Sequence, residues 1–138
     1  MPPSDFTRRL TINVFSEIGF LELTVKKFEE GLEQEAADWF LKFVQLNGFR
    51  KLPGKDKLTV LSNYFLDQLI SGRYALIFKL RQTLKLNDRG LHDNVAEPYG
   101  LAAEYFQRKI KDRTPTREEA LAAMRRIRPS LPLPKSLS

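Results

Sequence analysis

The chain has no cysteine. Disulfides, thiol nucleophiles and thiolate metal sites are therefore excluded, and every zinc-finger spacing with them. The lack of cysteine also fits a reducing compartment. Histidine is almost as scarce, since His92 is the only one. A di-iron carboxylate bundle needs two Glu-x-x-His pairs, so Glu30, Glu33, Glu35 and Asp38 cannot form one. Glycines stand apart from one another. Gly48, Gly54 and Gly72 belong to no Gly-x-x-x-x-Gly-Lys and no Gly-x-Gly-x-x-Gly pattern, which removes the common phosphate-cradling loops. No Gly-x-Ser-x-Gly elbow accompanies His92. Long apolar runs are missing as well. None exceeds Tyr74–Phe78, against the roughly 20 residues a membrane span requires. Met1-Pro2-Pro3-Ser4-Asp5 lacks the basic and apolar regions of a signal peptide. The chain is expected to be cytoplasmic, or nuclear in a eukaryotic host, non-enzymatic, and without metal, cofactor or membrane partner.

What is present is an ordinary globular composition, 42% hydrophobic and 29% charged, which argues against disorder through the body of the chain. The length of 138 residues is enough for one domain with a real core. We expect a single helical domain over residues 1–128 and an extended or mobile Pro-rich tail over 129–138. The net charge is +6 and unevenly placed. Residues 1–47 carry −3, residues 48–100 carry +4, and residues 101–138 carry +5. Such asymmetry points to a polyanion-binding side and a separate acidic side.

Apolar spacing predicts an all-α bundle of five to six helices. The first is capped by Ser4 or Asp5, carries Phe6, Leu10, Val14 and Ile18 on one face, and stops at Gly19. A short strand over Leu10–Phe15 is the competing reading. The second spans about Thr24–Leu46, with Phe28, Leu32, Ala36, Phe40, Phe43 and Val44 aligned. Gly31 weakens its middle, so one helix or two shorter ones fit. Asn47-Gly48 is the expected stop. Residues 49–56 read as a loop. Asp56 then caps a helix carrying Leu58, Leu61, Phe65 and Leu69, which Ser71-Gly72 ends or kinks. The next helix, from Arg73 to about Leu86, has a broad apolar face of Tyr74, Ile77, Phe78, Leu80 and Leu84, as the most buried helix would. Residues 87–97 read as the longest polar connection. Pro98 opens a fifth helix with Leu101, Tyr105 and Ile110 inward. Thr116 and Glu119 form a capping box for a sixth, with Leu121, Met124 and Ile127 inward and Pro129 at its end.

Positive residues recur at helical spacings: Arg81 with Lys85, Arg108 with Lys111, Lys109 with Arg113, and Arg125 with Arg128. Residues three or four apart share a helix face. Lys51, Lys55 and Lys57 add a basic loop. The planar fork of Arg suits phosphate oxygens, and contact to phosphates is largely independent of sequence. The candidate nucleic-acid-binding residues are Arg73, Lys79, Arg81, Lys85, Arg89, Arg108, Lys109, Lys111, Arg113, Arg117, Arg125, Arg126 and Arg128. Tyr64, Tyr99 and Tyr105 can stack on bases if exposed. Trp39 and most Phe residues read as core. A helix-turn-helix over Asp56–Leu86 is disfavoured because its second helix is too apolar for a groove. Glu29, Glu30, Glu33 and Asp38 form the candidate partner-facing surface, which repels nucleic acid or docks on a basic subunit.

Size, helical pattern and the basic stretches Arg73–Lys85 and Arg108–Arg128 together resemble the small helical subunit of CRISPR interference complexes. The resemblance lies in the profile, and no motif of that family is matched residue by residue. It implies a place in antiviral defence, further copies of the chain along the complex, and basic helix faces that hold the guide–target duplex or the displaced strand. The leading expectation is thus a non-catalytic subunit of a larger nucleoprotein complex that holds an RNA or DNA backbone. The alternative is a protein–protein adaptor or regulator whose basic face meets an acidic partner, with Leu131-Pro132-Leu133-Pro134 as a docking peptide or simply a mobile end. An enzyme would need a site around His92.

Overall fold

The computed structural model describes residues 19–132, and every regular element among them is helical. The expected capped first helix, its competing strand and most of the Pro-rich tail lie outside the described residues. By its internal contacts the chain divides into two compact units, Met1–Leu52 and Pro53–Ser138.

The first unit opens on a helix that occupies residues 19–29 (α1). Gly19 is therefore helical, not a stop. Gly31 does divide the long pattern. It sits at φ 82°, where the Gly31 N–H donates to the Phe28 carbonyl and the Leu32 N–H to the Lys27 carbonyl. That pair of bonds is a Schellman turn, which favours glycine because the left-handed residue has no Cβ to clash. Helix α2 (Glu33–Gln45) follows. It buries Ala36, Phe40, Phe43 and Val44 of the face aligned in the sequence, together with Ala37, whereas Phe28 is half-buried and Leu32 is exposed. The expected stop at Asn47-Gly48 is displaced. The break comes at Leu46, in extended conformation, and Asn47–Arg50 form one more turn (α3). Phe49 is the cause, since it is buried with its ring 4.9 Å from that of Phe43. Trp39 is half-buried, not core. It stacks on Phe20 at 5.4 Å and carries Lys42 over its ring at 4.3 Å.

The second unit is built on α4 (Gly54–Ile70), α5 (Tyr74–Asn87), a turn α6 (Arg89–Leu91), a π-helical turn (His92–Ala96), α7 (Glu97–Lys109) and α8 (Arg117–Ile127). Asp56 lies inside the first turn of α4 instead of capping it, because Pro53 already precedes the helix. Lys55 and Lys57 are consequently on a helix, not in a loop. Leu61, Phe65 and Leu69 are fully buried as expected, and Leu58 is half-buried. Gly72 ends α4 at φ 73° in a second Schellman turn, with Gly72 N–H to Leu69 and Arg73 N–H to Gln68.

The region 87–97 is the largest departure from expectation. It is not a polar loop but helical throughout apart from Asp88. The Asp88 carboxylate caps it by accepting from the Leu91 N–H at 3.1 Å, and Leu91, His92, Val95 and Ala96 are buried. The π turn runs directly into α7, with Pro98 in its first turn. Here α7, not α5, is the most deeply packed helix. It buries Pro98, Tyr99, Gly100, Ala102, Ala103 and Phe106, whereas Tyr74 and Phe78 of α5 are only half-buried. The small residues let neighbouring helices approach closely. Leu101 and Tyr105, expected inside, are instead 43% and 41% exposed, and Ile110 is half-buried. The capping box of α8 is present, with Thr116 and Glu119 each accepting the other's backbone N–H. Leu121 and Met124 are buried and Ile127 half-buried.

Candidate nucleic-acid interface

The second unit holds most of the positive charge: residues 53–138 carry sixteen Lys/Arg against nine Asp/Glu. Its helices alternate in direction, which sorts these cations by end. Chain ends of α5 and α8 meet the π turn. Arg128 donates to the Asn94 side chain at 2.6 Å, and both Arg89 and Arg128 act on Asp93, whose carboxyl is held below its ordinary range chiefly by a hydrogen bond from His92. Arg89 and Arg128 are thus brought to one end across nearly forty residues of sequence. Lys85 lies in the last turn of α5, and Arg125 and Arg126 occupy the last turn of α8.

At the opposite end stand Arg73, Arg108, Lys109, Lys111, Arg113 and Arg117. Gly72 and Thr114 touch there: a Cβ on Gly72 would lie 2.6 Å from the Thr114 methyl. Asp67 faces Arg117 and Arg73 at this end. Burial raises its carboxyl above the ordinary value, and the two guanidinium groups partly oppose that. Arg73 donates to Gln68 at 3.1 Å. Arg113 forks onto Glu119 at 2.7 and 3.1 Å, which holds that carboxyl down at about 2 together with the Thr116 backbone.

Between the ends, Arg81 is committed to the fold. Its guanidinium donates to Glu104 at 2.9 Å, lies 3.8 Å from Glu97 and sits 5.3 Å from the Phe78 ring centroid. It crosses Gly100 so closely that a Cβ there would meet Cδ at 2.7 Å and Cζ at 2.8 Å. Sequence spacing showed Arg81 beside Lys85 but not these partners. The signal that was available is the spacing of Glu97, Gly100 and Glu104, which puts two acids astride a glycine on one face of α7. Lys79 is half-buried, whereas Lys85, Arg89, Arg108, Lys109, Lys111, Arg125 and Arg126 are exposed. Among the described residues, Lys85, Lys109, Arg125 and Arg126 form no ion pair.

The expected stacking tyrosines separate. Tyr64 and Tyr99 are buried and unavailable to bases. The Tyr99 hydroxyl pairs with Ser62 at 2.7 Å, its ring stacks on Phe65 at 5.7 Å, and burial pushes the phenol up to about 12. Tyr105 alone keeps an exposed face.

His92 is buried, with Nδ1 2.7 Å from Asp93 and Nε2 3.4 Å from Glu97. Both ring nitrogens face carboxylates. No group of three or more His, Asp or Glu among the described residues is arranged to hold a metal ion. No described helix is long and apolar enough to cross a membrane.

In the first unit, Glu29, Glu30, Glu33 and Asp38 are all exposed. Glu30 lies 3.6 Å from Lys27, and Asp38 accepts from Gln34 at 3.1 Å. Comparison of the chain with family models, with curated proteins and with solved structures returned no match.

Proposed function

We propose that residues 53–138 form a non-catalytic nucleic-acid-binding module within a larger nucleoprotein complex, holding a phosphate backbone by its exposed cations. One observation carries this reading. The exposed Lys and Arg gather at the two ends of the unit, while Arg81, midway along α5, is neutralised by two acids. An even scatter of paired charges would favour an ordinary solvated surface. A helix of 13 residues separates the ends by about 20 Å at 1.5 Å per residue. That distance spans about six phosphates along one strand of a duplex. Lys85, Arg89, Arg125, Arg126 and Arg128 serve one end, and Arg108, Lys109 and Lys111 the other. The proposed role of Glu29, Glu30, Glu33 and Asp38 is to face a protein subunit, since acids repel the backbone.

The test is fluorescence anisotropy with labelled single-stranded RNA, single-stranded DNA and duplex DNA at low and at physiological salt. Phosphate contacts predict binding that weakens steeply between the two conditions. An absence of binding to all three at low salt would overturn the reading and direct attention to an acidic protein partner.

A further inference from the structure

We infer that the outer face of α7 is a stacking site for an unpaired base, with Tyr105 as the platform and Arg108 and Lys109 as the phosphate contacts. This rests on the nucleic-acid reading above and deepens it, from backbone contact to recognition of single strands. Tyr105 is the only aromatic side chain among the described residues that is classed as exposed. Helical spacing puts Leu101 one turn before it and Arg108 and Lys109 one turn after it, with Cβ separations of roughly 5–6 Å. A nucleotide's base and its phosphate are about that far apart, so one nucleotide can reach both. Leu101, 43% exposed, extends the apolar floor.

The charge around this floor is favourable. Glu104, the residue before Tyr105, lies off this face and is neutralised by Arg81 at 2.9 Å. Arg108 uses only its Nε, in a long contact of 3.4 Å to the Glu104 carbonyl, which leaves the outer nitrogens to a phosphate. Lys109 is exposed and makes no ion pair among the described residues. The Tyr105 ring is braced edge-on by Phe106 at 5.2 Å, and Phe106 is buried. A braced ring loses little freedom on stacking, and every base has a π-face, so the site is tolerant of sequence. Paired bases stay inside a duplex and cannot reach it.

The experiment compares the full chain's affinity for an oligothymidylate with that for an abasic deoxyribose-phosphate strand of the same length. The base-bearing strand is expected to bind about tenfold more tightly, as one stacked base would give. Tyr105→Leu keeps apolar bulk but removes the π-face. It should erase that tenfold preference and leave abasic-strand binding unchanged, while Tyr105→Trp should preserve the preference. Arg108→Glu with Lys109→Glu should weaken both strands. Equal binding of the two strands by the unmodified chain overturns the stacking site and spares backbone binding. Equal weakening of both strands by Tyr105→Leu assigns the ring to folding and also overturns it. Failure of both strands to bind removes both proposals together.

Discussion

At the scale of single residues, the fate of a cation depends on what lies across from it. Arg81 and Arg125 look alike in the sequence, yet one is locked against Glu97, Glu104 and Gly100 and the other is exposed. Gly100→Ala forces the Arg81 side chain off its seat. Because the clash is with a flexible side chain, the cost is mainly the lost contacts, about 1 kcal/mol. In an Arg81→Ala background the same substitution should cost almost nothing, a non-additivity that a double-mutant cycle by urea unfolding measures directly. The Ser62–Tyr99 pair offers a second case. Tyr99→Phe leaves the Ser62 hydroxyl buried without its partner and should destabilise by about 1–2 kcal/mol. The Tyr99 phenol is raised from 10.0 to about 12, so the folded state holds its proton more tightly than the unfolded state. That contribution is complete below about pH 10 and disappears as pH rises toward 12. Tyr99→Phe should remove this alkaline step from a plot of stability against pH.

At the scale of elements, the two Schellman turns set up a clean comparison. Gly31 and Gly72 both have positive φ, so an Ala at either incurs the left-handed penalty of about 1–2 kcal/mol. Only at Gly72 does the added Cβ also meet a neighbour, Thr114. Gly72→Ala should therefore lower the melting temperature more than Gly31→Ala. The start of α8 carries its own pH signature. Glu119 is depressed from 4.5 to about 2, first by Arg113 and then by the Thr116 backbone. A depressed acid contributes its stability above its ordinary range and loses it as pH falls. Between pH 4.5 and 2 this cap should loosen, and Glu119→Gln should flatten that portion of the acid titration. Features of this kind were legible in the sequence because they are local. A Gly at a helix end or a Thr-x-x-Glu box needs only a few residues to declare itself. The segment 87–97 was not legible, because its polar composition masks four buried side chains, Leu91, His92, Val95 and Ala96. Leu101 and Tyr105 misled in the other direction. Their spacing is that of a buried stripe, but Tyr99, Ala102, Ala103 and Phe106 form the packed face instead, and small residues announce burial weakly.

At the scale of the whole molecule, sequence charge counts located the positive end of the chain but not its arrangement. Alternating helix direction is what separates Arg125, Arg126 and Arg128 from Arg108, Lys109 and Lys111, and no spacing rule within one helix contains that information. The central claim is that these separated cations grip phosphates. It is tested most directly by the slope of log affinity against log salt for a single-stranded oligonucleotide, measured for the unmodified chain and for Arg125→Glu with Arg126→Glu. Each lost phosphate contact should reduce the slope by about 0.7 for a single strand, so the double variant should be shallower by up to about 1.4 and bind more weakly at low salt. An unchanged slope and affinity in that variant, beside tight binding by the unmodified chain, would contradict the assignment of this end. A slope near zero in the unmodified chain would contradict phosphate contact altogether.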